Sequence, residues 1–354
     1  MADTTKIEWT DATWNPITGC TLVSDGCRHC YAATLAATRL KNHSSRAGLA
    51  RINAAGEAKF TGEVRLNAQW LDQPLRWRKP RRIFVCAHGD LFHENVPDEW
   101  IDRVFAVMAL APQHTFQVLT KRPERMAEYA NSHRYLWIGD QMMIHAPQGL
   151  DLRPLIDAFG NEEEPNIMPA KWPLPNVWLG TSVEDQATAD ARIPQLLDTP
   201  AAVRFISAEP LLGPVDLTRI ISPTHRINSL SRTDDGGSPL PRLDWIIVGG
   251  ESGSRARPMH PDWARSLRDQ CTAAGVAFFF KQWGEFEASL DRDRDDPDWS
   301  ADYSRKYSNR GKSKWLNLAG GRGFNGERFH VMRRVGKSRA GRLLDGREWN
   351  EVPG

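Results

Sequence analysis

Ile83-Phe-Val-Cys-Ala-His-Gly-Asp90 is an apolar run about as long as a buried strand that stops abruptly in polar and glycine residues. It has no alternation of apolar and polar positions. Both faces of such a strand must be covered, the pattern of a parallel sheet lying under helices. Phe116–Leu119, Val203–Ile206, Trp245–Val248 and Val276–Phe280 read the same way. A shorter run is Val177-Trp-Leu179, and a first strand falls between Ile7 and Trp14, giving about seven in all.

Helical patterns lie between them. Pro97-Asp98 opens a segment with Ile101, Val104, Phe105 and Met108 on one face, and Pro261 opens another with Trp263, Leu267 and Cys271 at i, i+4 and i+8. This alternation predicts an α/β fold, a partial or complete (β/α) barrel in preference to a doubly wound open sheet. The barrel domain is expected over residues 1–286. Polar, Pro- and Gly-punctuated insertions fall near 42–62, 131–175 and 222–241, and a basic C-terminal extension covers 287–354.

The chain has 354 residues, 40% of them hydrophobic, enough for a substantial core. No apolar run approaches bilayer length and the polar start lacks a signal-peptide core, so a cytoplasmic protein without membrane contact is expected. Lysine plus arginine exceed aspartate plus glutamate by 46 − 44 = 2, so any nucleic-acid surface must be local. Two basic segments interleaved with aromatics qualify: Arg76-Trp-Arg-Lys-Pro-Arg-Arg82, and the tail from Arg305 to Arg342 with Trp315, Phe324 and Phe329. A solvated surface is the competing reading of both.

Of five cysteines, three stand close together in Gly19-Cys-Thr-Leu-Val-Ser-Asp-Gly-Cys-Arg-His-Cys-Tyr31, a C-x6-C-x2-C motif between the first strand and a helix starting near Tyr31. An odd, front-loaded set is not a disulfide framework. Thiolates suit an iron–sulfur cluster or zinc, and three ligands leave one position open, as a reacting site requires. A 4Fe–4S cluster held by Cys20, Cys27 and Cys30 is one reading; zinc completed by His29 or His43 is the other. Cys86 and Cys271 sit in apolar patterns and read as core.

In an α/β barrel the site lies at the C-terminal ends of the strands. The residues that follow the runs are Asp90, Thr120-Lys121-Arg122, Ser182 and Glu184, Ser207 and Glu209, Gly249-Gly250-Glu251-Ser252, and Lys281-Gln282. Glycines at 249 and 250 admit a close ligand, while Glu251 could accept from hydroxyl or amino groups; a strand-end turn is the plain alternative. Lys121, Arg122 and Lys281 could bind a carboxylate or phosphate, with Glu209 or Glu184 as partners. Lys281, directly after Phe278-Phe-Phe280, needs a partner or a job, and it and Glu209 are the candidate catalytic pair. Trp14, Asn15 and His93 are further candidates for the same mouth.

The chain resembles the radical SAM superfamily and, over nearly its full length, a phage-associated three-Cys-motif family. The residues carrying the resemblance are Trp14-Asn-Pro-Ile-Thr-Gly-Cys20, Ser24-Asp-Gly-Cys-Arg-His-Cys-Tyr-Ala32, Asp90-Leu-Phe-His93, Thr120-Lys-Arg-Pro-Glu-Arg125, Gly249-Gly-Glu-Ser-Gly253 and Gly341-Arg-Leu-Leu-Asp-Gly346. The superfamily typically carries C-x3-C-x-aromatic-C, and the first gap here is three residues longer. The resemblance implies a barrel of radical SAM type and S-adenosylmethionine (SAM) as second cofactor. His29 stands where the superfamily has an adenine-contacting ring, and Thr120, Lys121, Ser182, Glu184, Gly249, Gly250 and Glu251 are the other candidate contacts.

The activity so implied is generation of a 5′-deoxyadenosyl radical, with an electron donor such as flavodoxin or ferredoxin, on a nucleic acid or nucleotide, loosely similar to spore photoproduct lyase. The alternatives are a zinc-stabilised, non-catalytic nucleic-acid-binding protein and a radical SAM enzyme for a small metabolite or peptide.

Overall fold

Each apolar run becomes a strand whose C-terminal end leads into the polar or glycine-rich residues that close it. The computed structural model describes residues 5–160, 165–222, 226–231, 233, 239–293, 312–320 and 328–354. The seven strands are β1 (Ala12–Trp14), β2 (Arg82–Val85), β3 (Thr115–Thr120), β4 (Val177–Ser182), β5 (Val203–Ala208), β6 (Trp245–Gly249) and β7 (Ala277–Gln282). Helices follow in between: α1 (Tyr31–Ala37), α2 (Asp98–Ala109), α3 (Pro123–Asn131), α4 (Tyr135–His145), α5 (Gln186–Leu197) and α6 (Pro261–Ala274). The architecture is mixed α/β, consistent with a partial (β/α) barrel.

The chain forms two compact units, residues 1–181 with 195–204, and residues 182–194 with 205–354. In the first, β1, β2, β3 and β4 pair in that order and in parallel, with Trp14 opposite Val85, Val85 opposite Val118, and Thr181 opposite Thr120. Trp14, Ile83, Val85, Phe116 and Val118 are fully buried. Burial of side chains this size contributes about 1.5–3 kcal/mol each. Because the strands end nearly in register, Asn15, Cys86 and Lys121 emerge at one edge of the sheet.

Helix α2 carries Asp98 and Glu99 in its first turn, where they complement the helix dipole, and turns Ile101, Val104, Phe105 and Met108 into the core. Its buried Asp102 accepts from Tyr129 Oη at 2.8 Å and pairs with Arg134, tying α2, α3 and α4 together. The insertions are ordered where described. Ala50–Ile52 pairs with Ala58–Phe60, and Ile156–Gly160 with Pro165–Pro169 against α4. Part of 222–241 lies outside the described residues.

In the second unit β5, β6 and β7 are parallel, with Ile246 opposite Ile206 and Phe278. Helix α6 is capped at its start by His260 and stops at Gly275, whose φ of 62° is the left-handed conformation of a C-cap. Beyond it, β8 (Phe286–Asp293), β9 (Ser313–Asn317) and β10 (Arg328–Arg334) form an antiparallel sheet with β10 central. A short helix, α7 (Lys337–Ala340), follows. The chain end returns to the parallel strands: Phe280 N donates to Trp349 O at 3.0 Å, Trp245 Nε1 to Glu351 O at 2.8 Å, and Phe278 N to Glu351 Oε2 at 3.0 Å.

Cys86 and Cys271 are core residues, as their contexts imply. Two aromatics of the basic segments are buried. Trp77 is 8% and Trp315 4% exposed. Phe324 and the side chain of Phe329 lie outside the described residues. Among the described residues, no helix is long and apolar enough to cross a membrane.

Candidate metal and cofactor site

The cysteine loop is bolted to the sheet edge at its stem. Gly19 N donates to His88 O at 3.2 Å, and Gly19 bridges Gly89 in parallel fashion. Space requires Gly19, where a Cβ would lie 2.1 Å from Glu63 O, and is tight at Gly89, where one would lie 3.0 Å from Ile17 O. Gly19 also has a φ of 98°, which L side chains rarely adopt. From this stem the chain passes Cys20, makes one 3-10 turn at Asp25–Cys27, and enters α1 directly after Cys30.

All three thiols are free and half-buried. Burial pushes Cys20 up to about 12, reinforced by the charge of Asp90 and opposed by Arg122, and burial likewise raises Cys30. Each also feels the charge of Cys27, so the three sulfurs share one electrostatic environment. Metal binding must therefore displace protons from at least Cys20 and Cys30.

Beside the loop stands a charged network from the ends of β2 and β3. Asp90, 4% exposed, accepts at Oδ1 from Thr120 Oγ1 (2.7 Å) and Phe92 N (3.0 Å), and at Oδ2 from Lys121 N (3.1 Å) and Arg122 Nη1 (3.1 Å). Arg122 Nη1 also reaches Cys20 Sγ at 3.7 Å, its Nη2 bonds Thr21 Oγ1, and its Nε bonds Glu94 Oε2. Burial works against the guanidinium charge, but the Glu94 bond and the Asp90 charge outweigh it, so the pKa of Arg122 rises. Burial similarly opposes, and Arg122 overcomes, the ionisation of Glu94, held down to about 2.

Behind the loop Arg46, 4% exposed, donates from Nε to His88 Nδ1 at 3.1 Å. Burial and this neighbouring cation push His88 down to about 4, and the ring serves as a neutral acceptor.

The first unit thus brings together Cys20, Cys27, Cys30, Asp90, Thr120, Lys121 and Arg122, with Asn15 and His93 at their edge. Asn15 Oδ1 accepts from His88 N at 3.0 Å, and His93 Nε2 lies 3.1 Å from Thr21 Oγ1. Trp14 is instead core, donating from Nε1 to Trp70 O at 2.8 Å. His29 is half-buried between the last two cysteines. His43 is exposed, its Nδ1 engaged with Ser45 Oγ at 2.7 Å. Sequence reasoning missed Glu94, Thr21, Arg46 and His88; the polar pair His93-Glu94, four residues past Gly89, was the available signal for the first.

The remaining candidates belong to the second unit. Glu184, 1% exposed, pairs with Arg192 at 3.0 Å, and Arg192 Nη1 also bonds Ser182 O. Glu251 is clamped by Arg257, which donates from N, Nε and Nη2 at 2.8–2.9 Å. Gly250 is a glycine because a Cβ there would lie 2.1 Å from Trp283 O, while one on Gly249 would meet the Glu209 carboxylate at 2.8 Å. That carboxylate meets Lys281 Nζ at 2.6 Å and accepts from Ser207 Oγ at 3.2 Å. Gln282 Nε2 donates to Gly250 O at 2.9 Å, closing the strand-end turn.

The donor set fits an iron–sulfur cluster: three soft thiols on one loop, with cationic Arg122 and Lys121 facing them. It fits a single zinc ion less well. Tetrahedral zinc holds thiolate sulfurs about 3.8 Å apart. Among the described residues, the group of three ligand atoms gathered within 4.8 Å lies elsewhere, at His260, Asp262 and His330.

No curated protein matches the chain. Among solved structures it is similar to spore photoproduct lyase, in a cysteine-to-serine mutant (TM-score 0.35, 8% identity, 94% of this chain and 72% of that one). The same enzyme complexed with dinucleoside spore photoproduct gives a TM-score of 0.33 and 9% identity over 90% and 67% of the two chains. A likeness of this size carries no argument about activity. The sequence match is of another order: over residues 4–353, the chain belongs to the family described as Protein of unknown function (DUF5131).

Proposed function

We propose that this chain is a radical SAM-type enzyme whose Cys20, Cys27 and Cys30 hold a 4Fe–4S cluster. The observation that carries the reading is the joint placement of three free thiols and the Asp90–Arg122 network at the C-terminal edge of parallel strands. When bound, the cluster supplies one electron, taken from a reduced flavodoxin or ferredoxin, that breaks the C5′–S bond of SAM to give methionine and a 5′-deoxyadenosyl radical.

The protein's own residues do the rest. Three thiols leave one metal position for SAM, Arg122 sets positive charge against Cys20, and Asp90 fixes Thr120 and the Lys121 backbone. Lys121 is the candidate for the SAM carboxylate and His29 for the adenine ring. In the second unit, Lys281 and Glu209 form the pair suited to moving a proton. Glu184 and Glu251 are already held by arginines, which favours structural roles for both.

The substrate class we infer is a nucleotide or a short stretch of nucleic acid. Arg76, Arg78 and Lys79 are exposed, but they precede β2, at the opposite end of the strands from the cysteine loop. With Trp77 and Trp315 buried, the alternative of a non-catalytic protein gripping nucleic acid by basic-aromatic segments loses these two residues as stacking platforms.

The test is reductive SAM cleavage. Anaerobically reconstituted protein with dithionite and SAM should release 5′-deoxyadenosine and methionine, and Cys27→Ala should not; no product from protein with a full iron complement rejects the proposal.

A further inference from the structure

We propose that His260, Asp262 and His330 form a binding site for one divalent transition-metal ion of the zinc class, separate from the cysteine loop. One ligand atom from each lies within 4.8 Å of the other two. Both imidazoles are fully buried, and the Asp262 side chain is 14% exposed. Two nitrogens and a carboxylate oxygen are a donor set that zinc accepts, with a fourth position for water.

The spacing is one that a shared ion can fill. His330 Nε2 lies 3.5 Å from Asp262 Oδ2, beyond the usual N–H···O range of about 2.7–3.2 Å. A tetrahedral zinc ion with ordinary Zn–N and Zn–O lengths holds two such ligand atoms about 3.4 Å apart.

The surroundings hold the ligands in place. Arg265 Nη1 bonds the other Asp262 oxygen, Oδ1, at 2.9 Å, and is itself anchored by Asp345 at 2.9 Å. Asp262 Oδ2 is the oxygen that faces His330, and a partner on the other oxygen is the kind of support that oriented metal ligands commonly have. The His260 ring lies edge-on to His330 with centroids 4.3 Å apart, and is backed by Trp263. His260 Nδ1 accepts from Asp262 N at 3.1 Å. A neutral imidazole has one ring lone pair for such bonding, so ligation through either nitrogen replaces that cap bond. The ion would fasten the start of α6 to β10, a long-range staple in sequence.

The test uses the full-length chain stripped with a chelator and titrated with zinc or cobalt. One equivalent of zinc should bind Cys20/Cys27/Cys30→Ala and raise its melting temperature, and the histidine substitutions are made in that background. His330→Gln and His260→Gln should each lower zinc affinity at least tenfold. Should those variants fold poorly, cobalt on the triple-cysteine variant decides: tetrahedral d–d bands without sulfur charge-transfer absorption support the site. Failure of that protein to bind zinc or cobalt, or zinc binding unaffected by both histidine substitutions, overturns it.

Discussion

The guanidinium of Arg122 stands 3.7 Å from the sulfur of Cys20, held there by Asp90 and Glu94 on its other edges. A cation fixed by two carboxylates beside a thiol stabilises negative charge on that sulfur, and through it the cluster proposed to bind there.

Arg122→Leu removes this charge and leaves the buried Asp90 without its ion-pair partner. Loss of a charge-assisted bond of about 1.5–3 kcal/mol corresponds to a SAM-cleavage rate lower by roughly 10–150-fold. The midpoint potential of the reconstituted protein, followed by EPR redox titration, should shift negative. Unchanged potential and rate would place Arg122 in a purely structural role.

The stem of the loop makes a steric prediction. Gly275 has a left-handed backbone with nothing near its missing Cβ, so Gly275→Ala should cost about 1–2 kcal/mol of unfolding free energy. Gly19→Ala adds a Cβ 2.1 Å from Glu63 O on top of its own backbone strain, and should cost at least ~2 kcal/mol more. Urea unfolding of the two variants measures the difference.

How much of this was legible in sequence follows from the range of the interactions. The strands were visible because runs such as Trp245–Val248 are apolar on both faces and are followed by glycine and polar residues, and α6 because Trp263, Leu267 and Cys271 share a face. The three cysteines were visible because they fall within one short loop. Glu94 was not, since its meaning comes from Arg122, 28 positions away. Nor was the depth of Trp77, whose neighbours in sequence are exposed cations while its indole is drawn into the core. His330 likewise acquires its partners only when β10 is placed beside the start of α6.

Glu184 separates structural from functional carboxylates. Its pair with Arg192 is almost wholly buried, so Glu184→Gln strands a guanidinium in the interior and should cost about 3–5 kcal/mol. The folded fraction should keep its SAM-cleavage rate per iron. A selective loss of SAM binding without loss of stability would instead assign Glu184 to the cofactor.

His88 gives the stability a pH dependence. Its folded pKa is pushed from 6.5 down to about 4 by burial and by Arg46, so the unfolded chain takes up a proton before the folded one does. Its contribution is full above pH 6.5 and is lost as pH falls towards 4, by about 1–3 kcal/mol. His88→Asn should flatten that part of the curve of denaturation midpoint against pH.

The central claim is the cluster, and the most direct measurement is iron and sulfide content with the visible spectrum of protein purified and reconstituted without oxygen, beside Cys20/Cys27/Cys30→Ala. The account predicts about four irons and four sulfides per chain and broad absorption near roughly 400 nm, all lost in the variant. A colourless native protein that holds one zinc through those cysteines would contradict it.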